Sequence, residues 1–164
     1  MIEIKVHQLL NAGYDLSESY TVDVPEFQDT EFQVLPGQKL EIEIHKIQDG
    51  LSLSLPAQKI KGLVTCARTL EEFEYSHDIL SFEMQAYTKI PEDIDPEDVL
   101  QINTKNMTLD IEPFIREGVF ISLPYRFIKE DTSIKQVYKV QKDSSSSGKD
   151  AQSFQPFANL KDLL

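Results

Sequence analysis

The sequence predicts an α+β domain, mainly antiparallel β, with a curled barrel- or sandwich-like sheet, one main helix and a short C-terminal helix. Three observations carry this. Apolar and polar residues alternate with period 2 in several runs from Ile2 to Ala86, an Asp-Gly pair separates two of those runs, and the period becomes helical between Ile111 and Leu123 and again at the end of the chain. Alternation without interposed helices points away from a parallel βαβ sheet, because one solvated face per strand is the mark of antiparallel pairing.

Ile2, Ile4 and Val6 alternate with polar residues, and so do Tyr20, Val22 and Val24. Leu40, Ile42 and Ile44 interleave with Glu41, Glu43 and His45, then Leu51, Leu53 and Leu55 with Ser52 and Ser54. Gln48-Asp49-Gly50 lies between these two runs and predicts a β-hairpin over 40–55, with the positive φ angles of a type I′ turn at Asp-Gly. Ile60 to Thr65 and the alternating Phe73, Tyr75, His77 and Ile79 form a further strand pair around a short knuckle. Leu80, Phe82, Met84 and Ala86 then occupy even positions after odd ones, which predicts a β-bulge or strand bend near Ile79-Leu80.

Pro91 to Asp98 holds two prolines and five carboxylates and reads as an exposed loop. A short strand near Met107 to Leu109 precedes a helix over about 110–123, with Asp110 as its cap, Pro113 in its first turn and Pro124 as its stop. Gly118 weakens that helix by about 1 kcal/mol relative to Ala unless close packing requires it. Ile134 to Val140 reads as a strand or extended arm carrying Lys135 and Lys139. The expected organisation is one β-rich domain over 1–142, a flexible Ser-rich linker over 143–153, and an amphipathic segment over 154–164 with Phe157, Leu160 and Leu164 on one face.

The chain has 164 residues and a net charge of −12, unevenly spread. Residues 1–125 hold 9 basic and 23 acidic side chains, a net of −14, whereas residues 126–149 hold 6 basic and 3 acidic, a net of +3. So acidic a body repels phosphate and disfavours broad nucleic-acid binding; it suits a basic partner protein, or serves only to keep the chain soluble. No run approaches the roughly 20 apolar residues that span a bilayer, and Met1-Ile2-Glu3-Ile4 lacks the regions of a signal peptide. With a single cysteine, the chain reads as cytoplasmic.

Catalytic chemistry has no positive signal. One cysteine and His7, His45 and His77 do not make a zinc set, and both strand histidines read as structural. Cys66 as nucleophile would need a base that no local pattern supplies, so a packed thiol is the simpler reading. Asp93, Asp95 and Glu97 lack the glycine and terminal Glu of a calcium loop. No catalytic, metal or cofactor-binding residue is therefore assigned, and no small-molecule substrate or membrane partner. In the one basic stretch, Tyr125, Arg126, Phe127 and Lys129, then Tyr138 and Lys139, interleave aromatics with cations, a weak pattern for stacking single-stranded RNA.

Three segments carry a family resemblance: Gly62-Leu63-Val64-Thr65-Cys66-Ala67-Arg68-Thr69-Leu70 with Phe73 following, Leu109 to Glu117 running on to Ser122-Leu123-Pro124, and Pro156 to Leu163. In this order they resemble the YceD-like family of large ribosomal RNA accumulation proteins. The knuckle looks like a Cys-x-Arg-Cys-Leu zinc knuckle with Thr69 in place of the second cysteine, and Tyr125-Arg126-Phe127-Ile128 follows Pro124 where members often carry further cysteines. The resemblance implies a metal-free variant in which packing replaces the zinc clip. It implies a non-enzymatic factor in large-subunit assembly or 23S ribosomal RNA accumulation, whose partner is a basic ribosomal protein, ribosomal RNA or a processing factor. The alternatives are an RNA-processing hydrolase or nuclease, or a purely structural domain. The residues expected to meet a partner are Arg68, Tyr125, Arg126, Lys135, Lys139, Phe157 and Leu160.

Overall fold

A computed structural model describes residues 1–13, 15–28 and 30–130 of the chain. The backbone divides into two units, Met1–Ile128 and Lys129–Leu164, and every element below belongs to the first. The expected strand or arm at 134–140, the linker and the C-terminal segment lie outside the described residues.

The alternating runs become strands, as their period requires. In chain order they are β1 (Glu3–Lys5), helix α1 (His7–Asn11), β2 (Ser17–Asp23), β3 (Gln33–Val34), β4 (Lys39–Lys46) and β5 (Gly50–Leu55). Then come β6 (Gln58–Thr65), β7 (Glu72–Ile79), β8 (Phe82–Tyr87), β9 (Val99–Gln101), β10 (Thr108–Asp110) and helix α2 (Glu112–Ser122). Three sheets result: β2-β4-β5-β8-β9, β3-β6-β7 and β1-β10. The class is α+β and mostly antiparallel, but the sheets are not closed into a barrel.

The inward residues of the alternation are the core. Leu40, Ile42 and Ile44 of β4, Leu51, Leu53 and Leu55 of β5, and Ile60 of β6 are fully buried and meet Phe114, Ile115 and Val119 of α2 in one cluster. Each such side chain stabilises the fold by roughly 1.5–3 kcal/mol relative to exposure.

Several local expectations are corrected. The hairpin over β4 and β5 forms, yet neither Asp49 nor Gly50 has positive φ, so the connection is not a type I′ turn. Gly50 is needed for a different reason: a Cβ there would lie 2.2 Å from the carbonyl oxygen of Ala86 on β8. The phase change at Ile79-Leu80 is not a bulge in one continuous strand. β7 ends at Ile79 in one sheet and β8 begins at Phe82 in another, with Leu80 exposed between them.

β9 pairs with β8 in parallel, against the antiparallel expectation. The connection over 88–98 returns the chain to the starting side of β8, about the length that a parallel crossover needs. The acidic loop is that crossover, and its Pro96–Asp98 segment forms a 3-10 turn capped by the Asp95 side chain.

The cap position of helix α2 is Ile111, one residue after the predicted Asp110. Asp110 still supplies the carboxylate, accepting the Glu112 amide at 3.1 Å and the Ile2 amide at 3.0 Å, which ties the start of the helix to the N-terminal strand pair. Leu123, extended as a residue before proline must be, ends it. Gly118 is there for contact: its missing Cβ would sit 2.7 Å from Leu55 Cδ2 and 3.0 Å from Phe82 Cδ1, so the helix lies directly on β5 and β8.

Candidate partner-binding surface at the knuckle

Between β6 and β7 the chain turns through Cys66 to Glu71. The Cys66 amide donates to the Glu71 carbonyl oxygen at 2.9 Å, and the Leu70 amide donates to that of Cys66 at 2.8 Å. This closure forces Leu70 to φ 60°, a left-handed conformation that costs a non-glycine residue on the order of 1–3 kcal/mol. The Cys66 side chain points inward and is fully buried. Leu70 points out and is 77% exposed.

The segment after α2 returns beside this turn. The Ala67 amide donates to the Phe127 carbonyl oxygen at 2.9 Å. The Phe127 ring is buried, stacked on Phe32 at 6.3 Å between centroids and edge-on to Tyr75 at 5.1 Å. Phe32, itself fully buried, also meets the His77 ring. Such pairs add about 0.5–1.5 kcal/mol each beyond burial, so the segment is firmly seated.

What the seat presents is apolar and cationic. Tyr125 is 94% exposed and Ile128 is 59% exposed, and the Arg126 guanidinium carbon lies 5.7 Å from the centroid of the Tyr125 ring. Three of the residues expected from the sequence, Arg68, Tyr125 and Arg126, thus sit on two segments joined by the Ala67–Phe127 hydrogen bond. Lys135, Lys139, Phe157 and Leu160 lie outside the described residues.

Two members of the surface were not foreseen, Leu70 and Ile128. An apolar residue in a turn flanked by Arg68 and two glutamates was a signal for Leu70. Ile128 carried none, because only the burial of Phe127 turns its neighbours outward. Phe127, one of the aromatics interleaved with cations in the sequence, belongs to the core.

His77 is the buried polar side chain of this region. Its Nε2 lies 2.9 Å from Ser122 Oγ at the end of α2, so β7 and the helix are pinned just before the chain enters the 125–128 segment. Burial pushes the imidazole below its ordinary range, although the Val119 carbonyl oxygen and Asp78 pull the other way.

The residues present do not fit a zinc site. Cys66 is the one thiol of the chain, Thr69 offers no comparable ligand, and an aromatic ring occupies the seam opposite the knuckle. Among the described residues, no group of three or more His, Cys, Asp or Glu is placed to hold a metal ion.

Fold and surface together define a class: a mostly antiparallel α+β domain with a knuckle seated beside an aromatic cluster and exposed apolar side chains next to it. The chain belongs to the YceD family, whose description is large ribosomal RNA subunit accumulation protein and whose model matches residues 59–164, from β6 onward. No curated protein and no solved structure matches the chain. No helix among the described residues is long and apolar enough to cross a membrane.

Proposed function

We propose that this protein is a non-enzymatic binding factor in the accumulation of large-subunit ribosomal RNA, acting in the cytoplasm. Its partner is a basic protein of the large subunit, held against the acidic body and anchored at the knuckle end. The carrying observation is that Leu70 on the knuckle and Tyr125 and Ile128 on the segment after α2 are all exposed, on two segments joined by the Ala67–Phe127 hydrogen bond, with Arg126 beside the Tyr125 ring. Leu70 is both exposed and conformationally strained, a combination that stability alone does not favour. Tyr and Arg are also the residue types that most often dominate binding energy at protein interfaces.

Affinity capture from cell extract tests this with the full chain and with a Leu70→Ser, Tyr125→Ala double variant. The wild type is expected to recover large-subunit ribosomal proteins, with or without their RNA, and the variant to lose most of them. Failure of the wild type to recover any large-subunit component removes the proposal. Cleavage of precursor ribosomal RNA by the pure protein would replace it with an enzymatic role.

A further inference from the structure

We propose that the edge of β2 left open by the described strands is a strand-addition site for an extended basic segment of the partner protein, a reading that rests on the basic partner proposed above. β2 is the outermost strand of the five-stranded sheet, with β4 as its neighbour. Its register with β4 fixes which backbone groups are free. Lys46 donates to Leu16 and Val24 donates to Gln38, so Leu16 and Val24 stand in hydrogen-bonded pairs, and by alternation so do Glu18, Tyr20 and Val22. The amides and carbonyls of Ser17, Ser19, Thr21 and Asp23 therefore point off the sheet. Among the described residues no backbone or side-chain hydrogen bond reaches them from outside the strand pair.

Other edges are short or blunted. β9 has three residues and β3 has two. β7 is long, but its outward carboxylates Asp78 and Glu74 are held by Lys59 and Lys61 at 3.3 and 3.2 Å, a charged surface of the kind that deters edge pairing. β2 shows Ser17, Ser19 and Thr21 there instead, small side chains that leave the backbone open.

The two faces of β2 specify the guest. On the inner face Tyr20 and Val22 pack against the core yet remain only half-buried, so an added strand would cover them with apolar side chains. On the outer face Glu43 stands opposite Ser19 and Glu41 opposite Thr21, with Asp23 at the end of the strand. Among the described residues no lysine or arginine pairs with Glu41 or Glu43. From an added strand they lie roughly 10 Å away across two strand spacings, within reach of lysine or arginine. The edge thus fits a strand that alternates basic and apolar residues, and the acidic charge of a second copy disfavours self-pairing.

The test uses the full chain and an eight-residue capped peptide of alternating Lys and Val. Amide exchange followed by NMR should show Ser19 and Thr21 exchanging freely in the protein alone and slowing by about tenfold or more when the peptide is added. Thr21→Pro removes an outward donor at an edge position where proline is tolerated, and Thr21→Lys keeps the donor but sets a like charge beside the guest. Both variants should weaken the peptide at least about tenfold. Protection of these amides in the protein alone, equal binding of an alternating Glu-Val peptide, or binding that neither variant weakens would overturn the proposal. Those outcomes with ribosomal capture intact would remove the β2 site alone, whereas peptide binding without ribosomal capture would remove the proposed function alone.

Discussion

The Ala67 amide donates to the carbonyl oxygen of Phe127 at 2.9 Å, joining residues 60 positions apart in sequence. That bond makes the knuckle and the segment after α2 one surface. It forms because the Phe127 ring is drawn into the cluster of Phe32, Tyr75 and His77, which brings the neighbouring backbone to the turn.

Phe127→Ala should destabilise the protein by about 3–5 kcal/mol, through lost burial and the cavity left between Phe32 and Tyr75. Tyr125→Ala, two residues away and exposed, should change stability by no more than about 0.5 kcal/mol. Urea unfolding of both variants separates the anchor from the surface it presents; equal losses would show that the seat is wrongly assigned.

Gly118→Ala should destabilise by about 1–3 kcal/mol, although alanine is the better helix former by about 1 kcal/mol. The added methyl would press on Leu55 and Phe82, and overpacking outweighs propensity. An unfolding midpoint that rises in this variant would show that the helix can lift from β5 and β8 at little cost.

Stability should fall on acidification through His77. Burial holds its imidazole below the ordinary value of 6.5, so the unfolded chain binds a proton that the folded chain resists. The stabilising difference is complete above pH 6.5 and is lost progressively as the pH drops toward the lower folded value. Denaturation of wild type and His77→Gln at several pH values should show a steeper decline in the wild type over that window; parallel curves would contradict it.

Cys66→Ser should lower stability by roughly 1–3 kcal/mol, since a hydroxyl replaces a fully buried thiol. Metal content, measured by elemental analysis after dialysis, should not change. Stoichiometric zinc in the purified wild type would contradict a knuckle held by packing.

Much of the site and fold was legible in the sequence because it rests on local chemistry. Alternation placed β2, β4, β5 and β7 and chose their buried faces, the apolar run from Ile60 placed β6, and Pro113 and Pro124 bracketed α2. Tertiary structure decided what depends on distant neighbours. Gly50 answers to the Ala86 carbonyl rather than to its own turn, and Leu80 marks a change of sheet because β8 pairs with β5 while β7 pairs with β6. Phe127 is core because Phe32 and Tyr75 wait for it, and β2 is an edge because no described strand takes its outer side. A period of two tells each strand which way to face; which strand lies beside it is settled only by how the whole chain buries its apolar surface.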